Sequence, residues 1–307
     1  MVSGLDVLVE GLLLGSIYAL AALGISLIFS VMNVLNLAHG NLIMLGAVLT
    51  FTFYNVIGGP SLGLAGFLVA LLMILILFTT LGGALEYTMI NRILKNPGDI
   101  LVSAILVTIG LALVLQDVAS YIIVRAPGNI SRTTIVSLNL PNVGSIVFGG
   151  YYFDSPKLIS LAVIGIAGVG LYLFFKKTYL GMAMRSISQD REAAVVVGVN
   201  LRRISVITFS LGFLFAGFAG LILLIDGQAT DPVLGLGYTI KLLTIMVLGG
   251  VRSPIGPVIG GLALGLMELG VAAVFGAYWL SAVSLVILIS ILLVRPTGIT
   301  GGGFPGK

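Results

Sequence analysis

The residues that could do chemistry in this chain are few and far apart. Its single histidine, His39, stands in Asn36-Leu37-Ala38-His39-Gly40. A lone imidazole there could gate a proton or contact a carboxylate, or it could make the hydrogen bond that starts a helix. Glu268 lies well inside an apolar run, where a charge left in lipid costs about 2.5–3.5 kcal/mol. It should face the interior of a helix bundle, with Lys241 or a backbone amide as its partner. Glu86 and Asp117 stand nearer the ends of their runs and can snorkel to an interface. The absence of cysteine excludes disulfides, thiol catalysis and Cys-ligated metals, and one histidine excludes His-pair zinc sites. Nothing pairs a nucleophile with a base, so no catalytic residue and no metal site is expected.

Composition says what must position these groups. The chain has 307 residues, 59% hydrophobic and 8% charged, where a soluble domain carries about 25% charge. Its 15 basic and 11 acidic side chains could not keep such a surface in water, so the solvent for most of the chain is lipid. A spanning helix needs about 20 apolar residues. Such runs lie at 7–31, 37–56, 62–87, 100–124, 158–175, 204–225, 237–250, 255–275 and 278–294. They predict an all-α polytopic membrane protein with eight or nine transmembrane helices. The run 237–250 is short and leads into Gly249-Gly250-Val251-Arg252-Ser253-Pro254-Ile255-Gly256-Pro257, which predicts a broken or re-entrant helix there as readily as two full spans. Asp6 and Glu10 replace the positive start of a signal peptide, so the first run is read as a retained helix. Gly212, Ala216 and Gly220, Gly256 and Gly260, and Gly261 and Gly265 put small residues at four-residue spacing, which lets helices approach closely.

Orientation follows basic residues in short loops. Lys176, Lys177, Arg185, Arg191, Arg202 and Arg203 place 176–203 in the cytoplasm, with Arg92 and Lys95 in a second cytoplasmic loop. Nine crossings put the C-terminus, with Arg295 and Lys307, on the same side and the N-terminus outside. The connection 125–157 is then extracellular, although it holds Arg125, Arg132 and Lys157. In it, 133–138 and 145–148 have strand character and flank Pro141-Asn142-Val143-Gly144, which predicts a small hairpin. Tyr151, Tyr152 and Phe153, and Tyr278 and Trp279, are placed as interfacial aromatic residues.

The loop 176–203 holds one more element. Ser186 with Gln189 matches a capping box, Asp190 and Glu192 suit a helix start, and Gly198 suits a stop. The result is a helix of about 11 residues, too short to persist alone in water, which must dock on something. The small residues at 193–197 suit a protein groove better than a bilayer surface.

Here the residues carry a resemblance. Glu192-Ala193-Ala194 followed by Gly198 is similar to the EAA loop of ATP-binding cassette importer permeases, without the Leu-Pro that closes its longer version. Asn36-Leu37-Ala38-His39-Gly40, Met44-Leu45-Gly46-Ala47, Thr108-Ile109-Gly110, Leu180-Gly181 through Arg185, Phe215-Ala216-Gly217-Phe218-Ala219-Gly220, Val247-Leu248-Gly249-Gly250, Ile255-Gly256-Pro257, Gly265 with Glu268, and Arg295-Pro296-Thr297-Gly298 resemble, in order, the LivH-type permeases of branched-chain amino-acid importers. The resemblance implies a single permease domain over 1–307. It implies a homologous LivM-type permease as heterodimer partner, two ATPase subunits and an extracytoplasmic amino-acid-binding protein. The bacterial or archaeal plasma membrane is the implied location, with no nucleic acid among the partners. Arg185, Asp190, Glu192, Ala193, Ala194 and Gly198 would couple to the ATPase. The chain has no Gly-x-x-x-x-Gly-Lys-Ser/Thr loop, so it binds no cofactor of its own and ATP with Mg belongs to the partner.

Two breaker regions, 33–40 and 249–257, interrupt apolar runs at comparable places and are read as flanking a translocation pathway, or else as plain surface loops. Asn33, Asn36, His39, Lys241 and Glu268 are its candidate residues. The expected cargo is leucine, isoleucine or valine. Relatives that carry urea, amides or sugars offer an alternative, as does an autonomous secondary transporter or channel, which would need its own ion site and no docking helix.

Overall fold

The computed structural model describes residues 4–95, 100–125, 145–148, 151–225, 231–251, 253, 255–294 and 298–300. Helices α1 (Gly4–Met32), α2 (His39–Val56), the single turn α3 (Gly59–Leu62) and α4 (Leu64–Leu85) come first. A π-helical turn (Glu86–Ile90) carries α4 into α5 (Asn91–Lys95), and α6 (Ile100–Arg125) follows. Strands β1 (Ser145–Phe148) and β2 (Tyr151–Asp154) precede α7 (Ser155–Lys177), α8 (Tyr179–Gln189), α9 (Arg191–Val196) and α10 (Leu201–Ile225). The chain closes with α11 (Gly235–Gly249), α12 (Gly256–Phe275) and α13 (Leu280–Val294). Among the described residues, 6 helices are long and apolar enough to cross a membrane, within α1, α4 to α5, α6, α10, α11 and α12. The protein is an all-α polytopic membrane protein. The remaining long apolar runs form α2, α7 and α13.

Helices α1 and α2 run through the middle of the bundle. Helix α1 packs on α12, α10 and α11, and α2 packs on α10, α6 and α11. Backbone meets backbone at these crossings: a Cβ on Gly265 would strike Gly15 of α1, and one on Gly220 would strike the Ile43 carbonyl of α2. The four-residue repeats do not each serve one neighbour. Gly212 lies against Ile28 of α1 while Gly220 lies against α2, and Gly260 faces α11 while Gly261 and Gly265 face α1. The outer helices turn large apolar side chains outward, among them Leu72, Ile76, Leu113, Ile166 and Val286, as a lipid-facing surface requires.

One of the two segments expected to form a hairpin, 145–148, is a strand. Strand β1 pairs antiparallel with β2, from Ser145↔Asp154 to Phe148↔Tyr151. Residues 133–138 lie outside the described residues.

Candidate functional site

The first interruption is buried backbone rather than a surface loop. Helix α1 stops where Asn33 takes a left-handed conformation at φ 55, one of the few L residues that accept it. From there the chain turns back along α1, because His39, the first residue of α2, abuts Gly24. Gly24 lies eight residues before the end of α1, about 12 Å along a helix axis. Val34, Asn36, Ala38 and His39 are fully buried.

Unwound backbone at this depth needs partners from neighbouring helices, and two threonines supply them. Leu37 N–H donates to Thr108 Oγ1 of α6 at 3.3 Å, and that hydroxyl lies 3.3 Å from the Leu35 carbonyl. Gly40 N–H donates to Thr239 Oγ1 of α11 at 2.9 Å, and the same hydroxyl reaches the Leu37 carbonyl at 3.1 Å. Asn36 Oδ1 accepts from Ala38 N–H at 3.1 Å, and Asn41 Nδ2 donates to the Ala112 carbonyl of α6 at 2.9 Å. Four atoms of this stretch stay without hydrogen bonds among the described residues: Asn36 Nδ2, Asn41 Oδ1 and both ring nitrogens of His39. The imidazole therefore does not start α2; the Gly40 bond to Thr239 does.

The second cluster joins four helices. Glu268 Oε2 accepts from Lys241 Nζ of α11 at 3.0 Å and from Tyr18 Oη of α1 at 2.8 Å. Its Oε1 accepts from Ser284 Oγ of α13 at 2.5 Å, and Lys241 Nζ also donates to Tyr18 Oη at 2.9 Å. The carboxylate is fully buried. A buried charge costs least when it is paired and its lone pairs are filled, and both conditions hold.

The second interruption, after α11, is held by residues that follow α13. Ile299 N–H donates to the Leu248 carbonyl at 2.8 Å and Thr300 N–H to the Gly249 carbonyl at 3.3 Å, filling acceptors that α11 leaves open.

In the basic loop the structure divides one expected helix into two. Thr178, not Ser186, caps α8, accepting from Gly181 N–H at 3.0 Å. Ser186 lies inside α8 and turns its hydroxyl to the Met182 carbonyl, so the capping box with Gln189 does not form. Asp190 breaks the helix and caps α9, its Oδ1 accepting from Glu192 and Ala193 N–H at 2.9 and 3.0 Å. Gly198, at φ 89, ends α9 as expected. Ala194 is buried, whereas Arg191, Glu192 and Ala193 are exposed, and Val195, Val196 and Val197 are 48%, 86% and 77% exposed. Arg185 is on α8, apart from this tip.

The structure thus brings Asn36 and His39 together in one link, and Lys241 and Glu268 together in another cluster. Asn33 is exposed at the turn and does not join them. Sequence reading missed Thr239, Tyr18 and Ser284. Each is a hydroxyl within an apolar run, and no spacing rule marks which of the many such hydroxyls meets a polar partner on another helix.

An all-α bundle with a polar centre around unwound backbone and a short capped helix at one end has the build of a membrane transport subunit. Residues 7–292 match the family described as branched-chain amino acid transport system / permease component, and the chain belongs to that family. It is 31% identical to the high-affinity branched-chain amino acid transport system permease protein BraD of Pseudomonas aeruginosa, over 97% of this chain and 95% of that one. It is 29% identical to LivH of Escherichia coli K12, over 95% and 94%. The ribose import permease protein RbsC of Bacillus subtilis matches at 30% over 50% of each chain. Among solved structures, PsaBC from Streptococcus pneumoniae in complex with Fab aligns over 94% of this chain and 91% of that one, with TM-score 0.49 and 14% identity. The homologues are permease subunits of transport systems and not enzymes.

Proposed function

We propose that this chain is one permease subunit of an ATP-driven importer that moves leucine, isoleucine or valine inward by alternating access. The observation that carries this reading is the tip of α9. Two valines at the end of α9 and Val197 just after it are exposed, between a start fixed by Asp190 and an end fixed by Gly198, a surface that needs a partner. Asp190, Glu192, Ala193, Ala194 and Gly198 form the docking element for an ATPase subunit that carries ATP and Mg, with Arg185 on the adjoining helix. A LivM-type permease, a second ATPase and an extracytoplasmic binding protein complete the assembly. The basic residues around α8 and α9 put that end in the cytoplasm and the N-terminus outside, in a bacterial or archaeal inner membrane.

Within the bundle, Asn36 and His39 belong to the movable part of the pathway, because buried polar atoms without partners are ready to be satisfied in another arrangement. Lys241 and Glu268 support it by holding α1, α11, α12 and α13 together. Proteoliposomes holding the full set of subunits encoded beside this chain should accumulate radiolabelled leucine only with ATP and the binding protein. Uptake by this chain alone along an ion gradient would overturn the proposal.

A further inference from the structure

Helix α6 is joined to the bundle along one side only. Ala104, Thr108, Ala112, Leu115 and Ala119 are buried, and α6 packs chiefly on α2. The opposite side stays uncovered along the whole span Val102–Arg125, through Leu106, Gly110, Val114, Asp117, Tyr121 and Val124. These positions follow one another in steps of three and four residues, the spacing of a seam that meets another helix. A Cβ at Gly110 would meet nothing within 4 Å, so the seam holds an open notch.

Asp117 sets this face apart from the apolar faces of the other outer helices. It stands fifteen residues after Val102 and eight before Arg125, about 22 and 12 Å from the ends of the span. One methylene cannot carry its carboxylate out to the membrane surface, as the long stems of Lys and Arg can. It makes no hydrogen bond or ion pair with any described residue. Arg125, the cation of the same helix, lies 3.7 Å from the centroid of the Tyr121 ring instead. Gln116, half-buried beside Asp117, also lacks a partner among the described residues. Charged side chains at membrane depth face a bundle interior and are paired there, as Glu268 is with Lys241. The interior that Asp117 faces is therefore not inside this chain.

We infer that this face of α6 is where a second, different permease subunit packs, and that a helix of that subunit sets a basic side chain against Asp117. A second copy of this chain is the poorer occupant. Two copies inserted in the same direction pair about an axis along the membrane normal, and through this face they would bring Asp117 opposite Asp117 at one depth, two like charges with no cation between them. Lipid hydrocarbon offers no partner for the carboxylate either. The inference rests on reading this chain as one permease of a pair, and adds which helix makes the pair and by what charge.

The test uses the importer assembled from the full set of subunits encoded beside this chain. Benzoylphenylalanine in place of Val114 should photocrosslink to the second permease, whereas the same group in place of Ile76, exposed on α4, should react with lipid. Asp117→Leu leaves the partner's cation buried and unpaired, so it should weaken the association of the two permeases in detergent about thirtyfold. Asp117→Asn, which keeps an acceptor, should weaken it less. The Tm of the isolated chain should stay unchanged in both variants, since Asp117 is exposed and unpartnered within it; a fall would assign Asp117 to the fold of this chain and overturn the inference. So would crosslinking of Val114 to a second copy of the chain or to lipid alone, or an association unaffected by Asp117→Leu. Crosslinking reads assembly without transport, so leucine uptake by a complex in which Val114 reaches only lipid fails this inference and leaves the import reading standing.

Discussion

Lys241 and Glu268, 27 residues apart on successive helices, form an ion pair at 3.0 Å in which the Glu268 side chain is fully buried and the Lys241 side chain 16% exposed. Tyr18 bridges both, bonding Glu268 at 2.8 Å and accepting from Lys241 at 2.9 Å. A charge in this position is tolerated only because its partner arrives from another helix, so the pair also specifies how α11 and α12 must sit.

Removing one partner leaves the other charge buried and alone. Lys241→Met should destabilise the chain by about 3–5 kcal/mol, read as a fall in Tm in detergent. Lys241→Met with Glu268→Leu should recover most of that loss, since an apolar pair leaves no orphan charge. A double variant as unstable as the single one would show that the ions themselves are required.

Thr239 tests the buried link between α1 and α2. Its hydroxyl serves both the Gly40 N–H and the Leu37 carbonyl. Thr239→Val keeps the shape but orphans both groups and should cost about 1–3 kcal/mol of stability. Thr239→Ser should cost much less. Equal losses for the two would assign the effect to packing instead of hydrogen bonding.

Close helix crossings give a contrast between glycines. A Cβ at Gly220 would collide with the Ile43 carbonyl of α2, whereas one at Gly168 meets nothing within 4 Å. Gly220→Ala should lower Tm by an amount equivalent to about 1–3 kcal/mol of overpacking. Gly168→Ala should be neutral or slightly stabilising, because alanine is the better helix former.

The α9 tip separates folding from coupling. Val196 is 86% exposed, so Val196→Asp should leave Tm unchanged. In the reconstituted importer the same change should abolish ATP-driven uptake by burying an unpaired charge at the ATPase contact. Asp190→Ala should cost about 1 kcal/mol locally through the lost cap, seen as faster hydrogen exchange over 191–196. Uptake unaffected by Val196→Asp would remove α9 from the ATPase interface.

Much of this architecture was legible in the chain itself, because lipid imposes rules that composition records directly. Apolar length marked the helices, basic residues marked one end of the bundle, and Gly198 marked the end of α9, since only the local backbone had to be right. Lys241 could be named as a partner for Glu268 for the same reason: a carboxylate in lipid has few alternatives. Other features depend on which helix stands beside which. Ser186 and Gln189 have the spacing of a cap, yet Thr178 starts the helix earlier and Asp190 breaks it. Tyr18, Thr239 and Ser284 look like ordinary polar interruptions until α1, α11 and α13 are assembled around Asn36-to-His39 and Glu268. Sequence alone determined that the chain must span a membrane and keep its few charges at an end or in the interior. Tertiary structure decided how each buried polar group is satisfied, because a hydrogen bond spans about 3 Å and sequence spacing cannot fix distances between helices at that precision.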